Sequence, residues 1–508
     1  MNFNKKIKSL IELESIASSQ KKNGKKIILC HGTFDLLHIG HVRHFQQAKK
    51  KGDILIVTIT ADKFVIKGPD RPYFSEMLRA EMIASLMNID YVGIVNDTTA
   101  LPSIKAIKPN IYVKGSDYKN TSNDLTGKIK NEINAVKMNG GKLFFTDDIV
   151  FSSSTLLNKH FRANDEKLEK ILDIVKKKGG FSYIKKQIDQ ISNKKILFVG
   201  ETIIDEYLYV DSLGKASKES IIAQLYHSRE IFFGGVIAAA KHTAGFCKDV
   251  RIITTCGSDD SYAKLVKKSL PKNIHLISEN LSNKPTTRKQ RFVDRSYLRK
   301  ESEIYIMDDS PLSEKEEKKV LNHLDENLKW ADVVIVTDFG HGLMTSKIIK
   351  KVVKNAKFLS VNVQTNSSNR GYNLFTKYPK ANFLCIDEPE IRLATQQKFA
   401  PVGQILKYIQ NLISCEHFIV THGKHGCYVR DKKNKIDVVP ALVTKVIDSV
   451  GAGDAFLAIT SPFVASGLPI REVGLLGNIA GAIKVNIIGH RFSVDKITFM
   501  KYLETLLR

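Results

Sequence analysis

The chain has 508 residues, too many for one ordinary core, and two or three domains are expected. Hydrophobic residues at 43% and charged residues at 26% fall in the globular range, which excludes a disordered, collagen-like or coiled-coil chain. Basic residues number 78 and acidic residues 53, a formal net charge of +25 that raises nucleic-acid or membrane-surface binding as function classes.

The lysines are dispersed and no block interleaves arginine with aromatics, so the charge is read as solvated lysine faces, part of it serving polyphosphate substrates. No nucleic-acid or membrane partner is expected. Six cysteines (Cys30, Cys247, Cys256, Cys385, Cys415 and Cys427) show no CxxC spacing, so neither zinc nor a disulfide framework is expected and a reduced, cytoplasmic setting fits. The first residues are too polar for a signal peptide, and apolar runs such as Ile54–Val57 and Val333–Val336 are strand-length.

In chain order, an N-terminal extension (1–24) precedes a strand at Lys26–Leu29, which runs into CHGTFDLLHIGHVRHFQQAKKKG, a glycine turn and a helix closed by Gly52. ILIVTITAD is a second strand, Met77–Met87 a helix, YVGIV a third strand and NIYVKGSDY a fourth, and KLFFTDDIVFSSSTLLNK closes the unit. The alternation predicts a parallel, doubly wound sheet over residues 25–160. Residues 161–193 read as a lysine-rich helical connector. KKILFVGETIIDEYLYV then opens a second alternation through VRIITTCG, ADVVIVTDFG, KFLSVNV, NFLCIDEP and HFIVTHG. The fold class is α/β, with two Rossmann-like domains, 25–160 and a larger one over 194–508.

HGTFDLLHIGH, residues 31–41, carries the first site. Gly32 and Thr33 follow a strand, and His38 and His41 fall three apart at a helix opening, on one face beside free N–H groups and the positive dipole end. Imidazoles so placed suit a nucleoside triphosphate, whose charge they stabilise during attack. Lys67 in VIKGPDRP supplies a mobile cation, Lys114 and Asp117 in VKGSDY end a strand, and Ser153, Ser154 and Thr155 in FSSSTLL open a helix. Taken singly these are ordinary solvated lysines and caps; their joint order is specific.

The motif resembles that of the cytidylyltransferase-like nucleotidyltransferases, in which GxFDxxHxGH holds the triphosphate. The resemblance implies that Gly32, Thr33, Phe34, Lys114, Ser153, Ser154 and Thr155 bind nucleotide, that His38, His41 and Lys67 act on the triphosphate, and that Arg79 and Asp117 face the other substrate. It implies attack of a phosphate-bearing substrate on the α-phosphate of ATP or CTP, with Mg²⁺, releasing pyrophosphate. Class I aminoacyl-tRNA synthetases share HIGH, but KMSKS is missing here.

DSVGAGDAFLA, residues 448–458, carries the second site. Gly451, Ala452 and Gly453 open a helix closely enough for backbone N–H groups to meet a phosphoryl group, and Asp454 is placed to accept a hydroxyl proton. The segment resembles the DTxGAGD signature of ribokinase-like (PfkB) sugar kinases, with Ser449 for threonine. That resemblance implies a sugar gripped by Asp205, Gly234, Gly235 and Asp338, nucleotide at Thr421, Gly423 and Gly426, Mg²⁺ organised through water by Glu390, and a small β lid from segments near 206–233 and 286–306, which in relatives often dimerises. Three departures stand out: Ala238 where asparagine follows the glycine pair, Asp387 in the NxxE position, and NVQTN at 362–366.

Together the halves resemble the bifunctional heptose-7-phosphate kinases/heptose-1-phosphate adenylyltransferases, with domain order reversed. This implies a heptose-like nucleotide-activated sugar for a bacterial surface polysaccharide, made from a sugar phosphate, ATP with Mg²⁺, and ATP or CTP as nucleotidyl donor. Other readings stay open: a CTP-dependent transferase for a polyol phosphate, a kinase half turned binding or regulatory module, and a basic nucleic-acid binder on relic folds, against which intact HIGH and GAGD speak.

Overall fold

The computed structural model describes residues 3–508 except 70, 116–127, 147–164, 259–260 and 444, and it divides into two compact units. The first comprises residues 1–164 with 497–508, the second residues 165–496. Asp117, Ser153, Ser154 and Thr155 lie outside the described residues.

In the first unit, α1 (Leu10–Lys22) starts on a capping box, Ser9 Oγ accepting from Glu12 N and Glu12 accepting from Ser9 N at 2.7 Å. There follow β1 (Ile27–Gly32), α2 (Ile39–Lys49), β2 (Ile54–Thr60), α3 (Glu76–Ala84), β3 (Tyr91–Val95), α4 (Leu101–Ile107), β4 (Ile111–Gly115), α5 (Ile129–Met138) and β5 (Lys142–Thr146). The sheet order is β3-β2-β1-β4-β5, parallel throughout. Ile27, Ile28, Leu29 and Cys30 are all fully buried, because Phe45, Ala48 and Ile83 cover one face of the sheet while Leu13, Ala17 and Ile104 cover the other. The strand order reverses between β1 and β4, and the HIGH segment leaves β1 at this switch point.

The second unit begins with α6 (Glu166–Lys177) and α7 (Gly180–Ile191). Sequence alone makes these a connector; in the structure they bury Leu168, Ile171, Leu172, Val175, Ile184, Ile188 and Ile191, and Lys178 and Tyr183 both bond Glu472 of the same unit. Next come β6 (Lys195–Gly200), β7 (Thr202–Lys215), β8 (Ile222–Gly234), α8 (Gly235–Ala244), β9 (Asp249–Gly257), α9 (Tyr262–Ser269), β10 (Ile274–Leu281), β11 (Thr287–Asp294) and β12 (Lys300–Ile306). They continue with α10 (Glu314–Trp330), β13 (Val333–Asp338), α11 (Ser346–Asn355), β14 (Leu359–Val363), β15 (Lys380–Asp387), α12 (Glu388–Thr395), α13 (Val402–Tyr408), β16 (Ser414–Thr421), β17 (Cys427–Arg430), β18 (Ile436–Val439), α14 (Ala452–Ala465) and α15 (Ile470–Lys484).

Nine strands form one sheet in the order β10-β9-β6-β13-β14-β15-β16-β17-β18, antiparallel only from β16 onward. Four others, in the order β12-β11-β7-β8, form a separate small sheet from the two segments expected to make the lid. A last helix, α16 (Lys496–Leu507), belongs to the first unit beyond its first residue, although sequence alone assigns it to the second domain. There the ring of Tyr502 lies where a Cβ on Gly68 would come within 2.2 Å of it.

Candidate active sites

In the first unit, His38 is the N-cap of α2, and its Nδ1 accepts from Gly40 N at 3.1 Å. That bond assigns the ring proton to Nε2, making Nε2 a donor. His41 stacks on His38 at 3.9 Å between centroids, and the Phe34 ring meets His41 edge-on at 5.2 Å. His38 Nε2 and His41 Nδ1 are buried without a hydrogen-bond partner among the described residues. Burial, and then the charges of His38, Lys67 and His44, lower His41 to about 3, so its ring is neutral at pH 7. Lys67 is lowered to about 8, first by burial, against the pull of Asp35 and with Arg508, Arg71 and Lys501 adding to the fall. An anion would relieve this crowding of positive charge.

Asp35, 1% exposed, latches the segment beside Lys67: it accepts from Tyr73 N at 2.6 Å, Phe74 N at 3.2 Å and Arg71 Nη1 at 3.2 Å. Arg79, expected to face substrate, is instead fully buried and spends its donors on Thr33 O (2.6 Å), Thr60 O (2.9 Å), Phe74 O (3.0 Å) and Asp62 Oδ1 (2.6 Å). It fixes the backbone at Thr33 rather than reaching a ligand. Lys114 is largely buried at the end of β4 and pairs with Glu132 at 3.2 Å. The aligned ends of β1 and β4 thus place Gly32, Thr33, Phe34, His38 and His41 together.

In the second unit, Asp454 sits in the first turn of α14, buried, with Oδ1 accepting from Gln364 Nε2 at 2.7 Å. Burial raises it to about 6; Gln364, Lys484 and Lys289 pull it down while Asp205 pushes it up. Asp205, on β7, pairs with Arg291 of β11, and its Oδ2 lies 3.6 Å from His490 Nε2. Burial opposes ionisation of Asp205, but Arg291 and His490 outweigh it and hold the carboxyl below its usual range. Gly234 is required here by close approach: a Cβ would come within 2.2 Å of Asp205 Oδ2. At Gly451, φ is +76° and a Cβ would lie 2.3 Å from His490 Cε1. His490 therefore lies between the Asp205 carboxylate and the glycine turn before Asp454.

Asp338, expected at the substrate, is fully buried: it pairs with Lys377 at 2.7 Å and accepts from Tyr378 OH at 2.6 Å and Gly340 N at 3.0 Å. Its carboxylate is spent on the turn after β13 and on the Lys377 and Tyr378 segment that precedes β15. Gly235 packs against the Glu201 carbonyl, Gly426 against β18, and Gly423 faces open space. Thr421 donates to Asp387 Oδ1 at 3.1 Å. Glu390 accepts from Thr365 N at 3.0 Å and Asp387 N at 3.2 Å, and burial, with Asp387 and Asp454 nearby, raises it to about 8.

Sequence reasoning reached Gln364 only as part of the NVQTN departure and missed Lys289, Arg291 and His490. No motif marks them; they arrive from other strands and loops, and only the basic, alternating KQRF stretch of β11 hints at its inward Lys289 and Arg291.

Residues 193–497 match the family described as pfkB family carbohydrate kinase, and residues 29–160 match the family described as cytidylyltransferase-like. The bifunctional protein HldE of Aliarcobacter butzleri (strain RM4018) is 41% identical over 144 residues, 28% of this chain and 30% of that protein. That of Geobacter metallireducens is 39% identical over 164 residues, 32% of each. The chain spans about a third of the length of these curated relatives. The phosphofructokinase-2 of Escherichia coli, solved in complex with potassium, matches 62% of this chain and 100% of its own at a TM-score of 0.51 and 15% identity, a likeness of fold alone.

Proposed function

The chain belongs to the pfkB family of carbohydrate kinases and carries a cytidylyltransferase-like domain ahead of the kinase, and from the two sites we propose that it makes a nucleotide-activated, heptose-like sugar. One chain holding both a buried base at a glycine helix start and a stacked histidine pair at another is the observation that carries this reading. In the kinase step Asp454 takes the proton of a sugar hydroxyl oriented by Asp205, the oxygen–phosphorus bond forms, and the bridge to ADP breaks. In the transfer step a sugar 1-phosphate oxygen attacks the α-phosphate of ATP or CTP, and pyrophosphate leaves while His38, His41 and Lys67 stabilise its charge.

Mg²⁺ fits the kinase site: carboxylates crowd one another at Glu390, Asp387 and Asp454, and one or two carboxylates with nucleotide phosphates are its ordinary ligands. When bound it neutralises phosphate charge. Among the described residues no cluster of three or more His, Cys, Asp or Glu would hold a metal unaided. No described helix is long and apolar enough to cross a membrane, and the proposed setting is the cytoplasm. The lid exposes Leu213, Leu225 and Tyr226, the surface proposed to pair two copies, which sedimentation of L225E would test by loss of a dimer.

The experiment is a paired assay with heptose 7-phosphate and heptose 1-phosphate, ATP and CTP, following ADP and pyrophosphate. D454N should remove only ADP release and H41A only pyrophosphate release. Loss of both from either change, in a folded protein, refutes two separate sites. Pyrophosphate from CTP alone would move the product to a CDP-linked sugar or polyol.

A further inference from the structure

Lys484 ends α15 and is fully buried. Burying an ammonium is costly unless its N–H groups find acceptors. Here they find backbone: Nζ donates to Val450 O at 2.6 Å and Gly489 O at 2.7 Å, with Ile487 O at 3.4 Å. Carbonyl oxygens converging on one positive charge are the means by which proteins replace the hydration shell of a bare monovalent cation. In this chain the charge is covalently attached.

What the carbonyls belong to gives the arrangement its meaning. Val450 C=O and Gly451 N–H form one planar trans peptide and point in opposite directions. Anchoring that carbonyl on Lys484 aims the Gly451 N–H away from the ammonium, at the turn that opens α14, and polarises it as a donor. The Gly489 carbonyl ties in the segment carrying His490, and Gly489 N donates to Asp448 Oδ2 at 2.7 Å. Asp448 in turn accepts from Val450 N at 3.1 Å, Tyr207 OH at 2.8 Å and Lys300 at 2.6 Å. One buried charge therefore joins the two loops that frame Asp454.

We propose that Lys484 is a positioning residue for phosphoryl transfer, its ammonium standing in for a bound monovalent cation, so that the glycine turn is organised without potassium or ammonium from solution. The proposal rests on the kinase reading above. Burial lowers Lys484 to about 8, against the Asp448 and Asp454 carboxylates, so the ammonium predominates at pH 7.

The test measures ADP release from ATP with heptose 7-phosphate as probe, on enzyme dialysed into tetramethylammonium chloride and titrated with KCl, NH4Cl or more of the same salt. The parent rate should change by less than about twofold across the three salts. K484A should lose about ten- to a hundredfold in kcat, with KM for the sugar phosphate little changed. Ammonium or potassium should restore K484A about tenfold, and tetramethylammonium, too large for the cage, should not. Pyrophosphate release from the other unit reports that the variant chain is intact.

A parent rate that rises more than about tenfold with KCl overturns the proposal, and needs no variant. So does K484A at the parental rate in tetramethylammonium, or K484A folded but deaf to every cation. If the parent releases no ADP in any salt, the kinase reading fails instead, and the cage is then read by anomalous scattering from Rb⁺. Rb⁺ in K484A crystals and none in the parent supports the stand-in; its absence from K484A refutes it.

Discussion

Lowering the pH should switch the kinase step off well above the range of an ordinary aspartate. Burial raises Asp454 to about 6, and the base exists only in its ionised form, so kcat/KM falls as pH drops through about 6. One ionisation leaves about half of the base at pH 6 and about a tenth at pH 5, whereas an aspartate near 3.9 would stay more than about nine-tenths ionised at pH 5. Gln364, Asp205, Lys484, Lys289 and Glu390 all act on Asp454. Substrate phosphates also titrate near 6, so the diagnostic is a shift rather than a midpoint. Q364L removes the 2.7 Å donor to Oδ1 and should move the acid limb to higher pH, because the ionised form loses a hydrogen bond and the phosphates do not change. D454N should lower the rate about 10²- to 10⁴-fold at every pH. The assay is initial ADP release at low sugar phosphate from pH 5 to 8, with aliquots returned to pH 7.5 to show that activity recovers. Superimposable limbs for the parent and Q364L, or D454N keeping more than about a tenth of the rate, would refute the assignment of Asp454 as base.

Removing the buried guanidinium in R79M strands the carbonyls of Thr33, Thr60 and Phe74 and should cost about 3 kcal/mol in urea unfolding of the first unit; a loss below about 1 kcal/mol would mean that Arg79 is not the clamp described. G234A drives a methyl against Asp205 Oδ2 and should raise KM for the sugar about tenfold or more while pyrophosphate release holds; unchanged sugar KM would remove Asp205 from the sugar site. E472A takes away the shared acceptor of Lys178 and Tyr183 and should lower the second unit's stability by about 1–3 kcal/mol, loosening α6 and α7 first in hydrogen exchange; protection unchanged there would place the hairpin's anchorage elsewhere.

The fold was legible where burial leaves a simple mark. Strands covered on both faces become unbroken apolar runs, as in Ile27–Cys30 and Val333–Val336, and glycine turns into helices announce the site ends of β1 and of the loop before α14. The hairpin of α6 and α7 was less legible because lysines crowd its solvent side, although Leu168, Ile171, Leu172 and Val175 keep the i, i+3, i+4, i+7 spacing of a buried stripe. Periodicity shows that such a stripe needs a partner and not which partner. The same limit applies to α16, whose return to the first unit no local pattern encodes. Arg79 and Asp338 fail for a different reason. Charge suggests a ligand, while here both groups are consumed by backbone carbonyls and neighbouring side chains.

The departures from the kinase pattern have a physical reading too. NVQTN looks, in sequence, like erosion of a binding segment. In the structure Gln364 donates to Asp454, the proposed base, Thr365 N donates to Glu390, and Asn366 bonds His341 Nε2 at 3.0 Å. A segment bonded at once to Asp454 and to Glu390 supports the proposed kinase reading over a regulatory remnant. Asp387 is placed likewise: it caps α12 by accepting from Glu388 N at 2.9 Å and also accepts from Thr421, tying the end of β16 to the Glu390 turn. Only Ala238, buried on α8, lacks a polar counterpart at its own position. Arg291, paired with Asp205 of β7, and Lys289 beside it enter instead from the lid strand β11, which on the proposed reading brings cationic groups to the sugar. On the proposed reading of a phosphorylated sugar as substrate, R291A should lose more rate on a sugar phosphate than on its parent sugar, and equal losses on both would separate Arg291 from the phosphate.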